Sequence, residues 1–222
     1  AAAEAKLREF GQSMMHVQEL CRHWDKHAPA TLKGAISSQG LIVPISQMSF
    51  PDLVALLGVH REKGDDAVVQ WIRGQYDEIF CAAGFLDNLE ATWAANSHLN
   101  RRLPLLQQSL KAHKLRMFAV SVPTLLAQFE GLVADATNHS GLMNGETMRR
   151  HVATLANGAH VTGGMLLSFV NDALLTQFGH GSLLPPFSRH AILHGGDVDY
   201  ATEVNSRTAI FLIDNLRELT EP

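Results

Sequence analysis

Residues 117–134, MFAVSVPTLLAQFEGLVA, form the most apolar stretch of the chain, and their reading decides between a membrane span and a core helix. Crossing a bilayer takes roughly 18 or more consecutive apolar residues. Here Ser121, Pro123, Gln128 and Glu130 interrupt the run, so membrane insertion is disfavoured. A helix over 119–137, packed inside a globular core, is expected instead. Outward from it, apolar residues recur at intervals of three and four, which predicts further helices over 98–115, 146–157, 163–178, 188–195 and 202–219. Helix-breaking residues stand near the joints: Gly141, Gly145, Gly158, Gly163, Gly164, Gly179, Gly181, Pro185 and Pro186.

Upstream, Leu7, Phe10, Met14, Val17, Leu20 and Trp24 share one face of a helix expected from about Ala3 to His27, with Pro29 and Gly34 ending it. Residues 40–51, GLIVPISQMSFP, read as an extended connector rather than a sheet strand, leading into a helix over 51–59. A helical pattern over 65–96, broken near Gly84, packs Val68, Ile72, Ile79, Leu86 and Leu89, and Trp24, Trp71 and Trp93 read as core. No βαβ alternation, heptad array or fixed-period repeat occurs. The expected fold class is all-α, with an N-terminal helical region over 1–97 and a second unit over 98–222.

The composition suits a packed chain of 222 residues: 46% hydrophobic and 18% charged, with mean hydropathy at zero. A net charge of −4 supplies no global basic field to hold nucleic acid, so any such contact needs a local patch. Only Cys21 and Cys81 are present, without a CxxC pair, which argues against a disulfide scaffold and for a reducing, cytoplasmic setting. The chain opens on Ala1-Ala2-Ala3 without Met, and native sequence further upstream is expected.

Chemistry concentrates in residues 187–205, FSRHAILHGGDVDYATEVN, which gather a cation, two histidines, two aspartates, a tyrosine and a glutamate between two helices. Ser188 is a candidate N-cap, Gly195 and Gly196 a stop, and Thr202 the cap of the last helix. Three readings compete. His190 and His194, one turn apart, could form half of a zinc site with Asp197 or Asp199, although the glutamate of HExxH is missing and His23 and His27 repeat the spacing. Arg189 and His194 form R-x4-H, a phosphate-neutralising cation and a neutral-pH proton carrier suited to phosphodiester cleavage. A five-residue step turns an ideal helix by about 140°, so this pair needs the helix to stop at His194 or two chains to share a cleft. The third reading is a polar corner in which Arg189 pairs with Asp197, Asp199 or Glu203.

The stretch RHAILHGGDVDYATEVNSRTAIFLIDNL resembles the C-terminal signature of bacterial HEPN-like proteins, an R-(polar)-x-x-L-H-G element followed by acidic-Tyr and Thr-Glu-x-Asn. The upstream FAVSVPTLLAQFEGLVAD resembles the same group's central helix, and the likeness covers roughly residues 98–219. It implies an all-helical bundle of HEPN type, here preceded by additional N-terminal helices. It also implies a homodimer whose cleft forms a metal-independent, cofactor-free endoribonuclease site of toxin or phage-defence type, with RNA as substrate and an antitoxin or regulatory protein as a further partner. On matching positions, Arg189 would stabilise the transition state and His194 would serve as acid and base, leaving 2',3'-cyclic phosphate ends. His190, Glu130, Asp199 and Tyr200 would support them. The family's R-x4-H-x-Tyr variant is not matched, since Gly195 and Gly196 follow His194, and Ala201 stands where Gly is usual. A catalytically silent module that binds RNA or a partner protein is the alternative. Arg101, Arg102, Lys111, Lys114 and Arg116, on or beside the helix over 98–115, are candidate RNA contacts, with a smaller cluster at Arg149, Arg150 and His151.

Overall fold

A computed structural model of the protein describes residues 30–157 and 160–220; the helix expected over 3–27 lies outside them, with Cys21, His23 and Trp24. Ten α-helices make up the described chain: α1 Ala30–Ser37, α2 Phe50–Lys63, α3 Asp65–Cys81, α4 Phe85–Ala95, α5 Leu103–Lys114, α6 Phe118–Ala136, α7 Gly145–Ala156, α8 His160–Phe169, α9 Arg189–Leu193 and α10 Glu203–Thr220. Among the described residues there is no strand, so the class is all-α, as the helical spacing predicted. No helix among them is long and apolar enough to cross a membrane.

Local chemistry sets most boundaries. The Ser49 backbone N–H donates to Asp52 at 2.7 Å at the start of α2, and Asn144 accepts from the Thr147 N–H at the start of α7. Gly64 and Gly84, at φ 78° and 76°, separate α2 from α3 and α3 from α4. Three expectations need correction. Gly34 does not end a helix: it lies inside α1, whose Leu32 and Ile36 are fully buried against α3 and α8, and that packing outweighs a helical glycine's cost of about 1 kcal/mol. The helix expected from residue 98 begins at Leu103, with Pro104 in its first turn. The helix expected over 163–178 runs instead from His160 to Phe169 and passes into a π-helical turn over Val170–Leu174, where the Leu175 N–H reaches back to the Val170 carbonyl.

The core gathers around α10. Every residue from Thr208 to Arg217 is buried, because α5, α6, α7, α8 and the 3-10 turn Ile45–Gln47 enclose the helix on all sides. Its polar residues are therefore bonded inside. Asp214 accepts from Trp93 Nε1 at 2.9 Å, Gln47 Nε2 at 2.6 Å and Arg217 Nε at 2.9 Å. The connector before the 3-10 turn has no ladder partner, so side chains take up its backbone groups. The Tyr76 hydroxyl donates to the Ile42 carbonyl at 2.7 Å, and Asn215 Nδ2 donates to that of Val43 at 2.8 Å. Buried side chains on both sides of residue 97, from Leu32 to Leu216, belong to one hydrophobic cluster.

Pro123 sits well inside α6 and cannot donate to the carbonyl four residues back, that of Ala119. The Tyr200 hydroxyl fills the gap, donating to the Ala119 carbonyl at 3.1 Å. This bond ties the loop before α10 to the start of α6.

Candidate functional site

The site is built around α9, five residues long. Ser188 caps it, its Oγ accepting from the Ala191 N–H at 3.2 Å and donating to the Thr176 carbonyl at 2.7 Å. The helix stops at Leu193, and His194 follows as the C-cap at φ −100°, ψ 10°. Each glycine that follows has its own reason. Gly195 takes φ 73°, while Gly196 lies so close to Phe178 that an added Cβ would fall 2.1 Å from the ring. The Gly196 N–H closes the turn on the Ala191 carbonyl at 2.8 Å. Thr202 caps α10, its Oγ1 accepting from the Asn205 N–H.

α9 packs against α6, and there Arg189 Nη2 meets Glu130 Oε2 in a partly buried ion pair. The side chains are 17% and 27% exposed, so the contact is open to solvent only at its edge. Next to it, the His190 and His194 rings lie parallel within 9° at a centroid distance of 6.0 Å. His190 is half-buried and His194 is exposed. Two buried atoms of this group, Arg189 Nε and His190 Nε2, have no hydrogen-bond partner. Burial, then the nearby Arg189, His194 and Arg149, holds the His190 pKa below the usual imidazole value, so this ring is neutral near pH 7. Burial also lowers the Arg189 pKa, but an arginine starts high enough to stay charged.

Arg149 approaches from α7. Its Nη2 donates to the Leu175 carbonyl at 3.3 Å, one peptide before the carbonyl that receives Ser188.

The other expected site residues lie elsewhere. Tyr200 is anchored at Ala119, eleven positions before Glu130 and about 16 Å away along α6. Asp199 is exposed, and its N–H donates to Asp197 Oδ1, so neither carboxylate joins the two histidines. Among the described residues no three His, Cys, Asp or Glu side chains are grouped to hold a metal ion. The polar-corner partners proposed for Arg189 are engaged differently, with Glu203 pairing with Arg207 and Arg116.

The cations on and beside α5 are mostly paired as well. Arg101 and Arg102 meet Asp135, and Arg102 also donates to Gln128 at 3.1 Å. Lys114 meets Asp87 at 2.6 Å. Lys111 is exposed beside a shallow cleft shared with Glu90, Gln107 and Lys114. Arg101, Lys111, Lys114 and Arg116 are exposed, and beside all of these but Lys111 a carboxylate offsets part of the charge.

Spacing could not reveal that Arg149 approaches this group, because it does so only through its bond to Leu175, 26 residues on. No protein-family model, curated protein or solved structure matches the chain.

Proposed function

We propose that the protein is a cytoplasmic, metal-independent endoribonuclease of HEPN-like type, acting on RNA as a homodimer through Arg189 and His194. The observation that carries this reading is the polar group on α9, where a partly buried Arg189 and His190 with unpartnered nitrogens adjoin an exposed His194. The His194 N–H still bonds the His190 carbonyl, so the five-residue step turns His194 about 140° from Arg189, and the two would act on one phosphate across a cleft shared by two chains. In the reaction, His194 takes the proton of a ribose 2'-hydroxyl as its oxygen attacks the adjoining phosphorus. The bond from phosphorus to the 5'-oxygen breaks, and an imidazolium, the partner protomer's copy in a shared cleft, returns a proton to that oxygen. Arg189 offsets the charge growing on the non-bridging oxygens. Glu130 orients the guanidinium, and the neutral His190 ring keeps His194 in place.

The Arg189–Glu130 pair also favours a second reading, a catalytically silent module that binds RNA or a regulatory protein, because a carboxylate already offsets the cation. In a toxin or phage-defence setting an antitoxin or regulatory protein would be the further partner. The two readings separate when wild type and His194→Ala are incubated with total RNA in EDTA and the new ends are mapped. Cleavage by wild type alone, leaving 2',3'-cyclic phosphate and 5'-hydroxyl ends, supports the nuclease. Folded wild type that leaves RNA intact supports the silent module.

A further inference from the structure

Arg149 is the one cation of this neighbourhood that the R-x4-H spacing does not explain. It is half-buried on α7, yet its hydrogen-bond partner is the neutral Leu175 carbonyl, and no carboxylate among the described residues pairs with it. By contrast Arg101, Arg102, Lys114, Arg116 and Arg189 each meet a carboxylate. A half-buried guanidinium held by a neutral dipole keeps its full charge in a region of reduced dielectric, where it acts strongly on an arriving anion.

The backbone fixes where that charge stands. After the π-helical turn, two successive carbonyls point to the same neighbourhood: Leu175 receives Arg149 and Thr176 receives Ser188. Ser188 is the cap of α9, so Arg149 is pinned one peptide away from the turn that carries Arg189 and His190. This group holds two guanidiniums and a neutral imidazole; Glu130 pairs with Arg189, and among the described residues the Arg149 charge is offset by no ion pair. Planar guanidinium forks suit phosphate oxygens, and an Arg189 side chain only 17% exposed is more accessible to a flexible strand than to a rigid duplex.

We propose that Arg149 is a second phosphate-binding cation of the site, holding the backbone of single-stranded RNA next to the phosphate that Arg189 engages. This rests on the nuclease reading above and goes further, since it assigns the substrate form and a contact from outside the motif.

The test uses a fluorescent single-stranded 2'-O-methyl RNA, which lacks the attacking hydroxyl and stays intact, with anisotropy read across a salt series. Arg149→Gln is expected to weaken binding about tenfold at 0.1 M salt and to reduce the slope of log affinity against log salt by about 0.7, the loss of one phosphate contact. Arg149→Lys is expected to restore the slope with part of the affinity, because it keeps the charge and loses the fork. Lys63→Gln, an equal charge change on exposed α2, is expected to stay within about twofold of wild type with an unchanged slope. A merely structural role for Arg149 would leave the salt slope of the folded variant at its wild-type value, and that result overturns the proposal. Equal losses in Arg149→Gln and Lys63→Gln also overturn it. If wild type cleaves RNA and Arg149→Gln binds as wild type does, Arg149 alone is misassigned; if wild type neither binds the probe nor cleaves RNA, the nuclease reading falls and this inference with it.

Discussion

Helix α6 contributes a residue to each of two histidine clusters. Near its start, Ser121 Oγ lies 2.5 Å from Ser206 Oγ, which lies 2.7 Å from His113 Nδ1, and all three residues are buried. Nine residues along, Glu130 holds Arg189 beside His190 and His194, and there two buried nitrogens are left without a partner. The first cluster is closed, with Phe80 and Phe118 packed against the His113 ring at centroid distances of 5.1 and 5.6 Å. The second opens at exposed His194. Buried polar groups are costly unless bonded, so a closed cluster is explained by the fold it completes. A cluster with orphaned atoms and an exposed, titratable end is better explained by what it binds. Two histidines, both held neutral near pH 7, thus differ in their surroundings: His113 is a bonded element of the core, and His190 lies half-buried beside exposed His194, the residue proposed to react.

Substitutions should separate the clusters by which property they damage. The largest expected effect is on activity: Arg189→Ala lowers the cleavage rate about 10³-fold while the thermal midpoint moves little. Unfolding of that variant at room temperature by circular dichroism would instead make Arg189 a structural residue. In the closed cluster the pattern reverses. His113→Ala is expected to cost about 2–4 kcal/mol and to lower the midpoint by about 5–10 °C, with cleavage per folded molecule unchanged.

The closed cluster also sets a pH dependence. Burial first, then Arg207, pushes the His113 pKa down to about 4, while Glu203 opposes the shift and Arg116 adds to it. The unfolded chain binds this proton near pH 6.5, so the contribution is whole above that pH and is lost progressively as pH falls toward 4. The loss is on the order of 3 kcal/mol, and denaturant titrations at pH 7 and pH 5 should show a large part of it. His113→Asn should flatten that decline; an unchanged slope in the variant would mean that other groups carry it. The smallest expected effect is at Glu130. Glu130→Gln is expected to lower kcat about tenfold with KM unchanged or reduced, since the cation remains and only its orientation suffers. A rise in KM at constant kcat would show that Glu130 serves binding instead.

Short-range chemistry was legible in the sequence. Ser188, Thr202 and the Gly195–Gly196 pair could be read as caps and stop because each acts within a few residues. Gly34 was not legible as a helical residue, because what holds it is the burial of Leu32 and Ile36 by helices distant in sequence. The interruption at Pro123 was visible, but its compensation by Tyr200, 77 residues on, was not. The candidate site divides in the same way. The R-x4-H spacing and the end of α9 were readable, and Glu130 was reached only through a resemblance to a family. The partners of Arg101, Arg102, Lys114 and Arg116, namely Asp135, Asp87 and Glu203, come from other parts of the chain and were not legible from the spacing.

The most direct measurement is the first-order rate at which a defined single-stranded RNA is cut in EDTA by wild type, His194→Ala and His113→Asn, each at matched folded concentration. A wild-type rate kept by His113→Asn and reduced at least about 100-fold in His194→Ala is the predicted result. Equal rates in wild type and His194→Ala, or folded wild type that leaves the RNA intact, would contradict the assignment of the open cluster as a ribonuclease site.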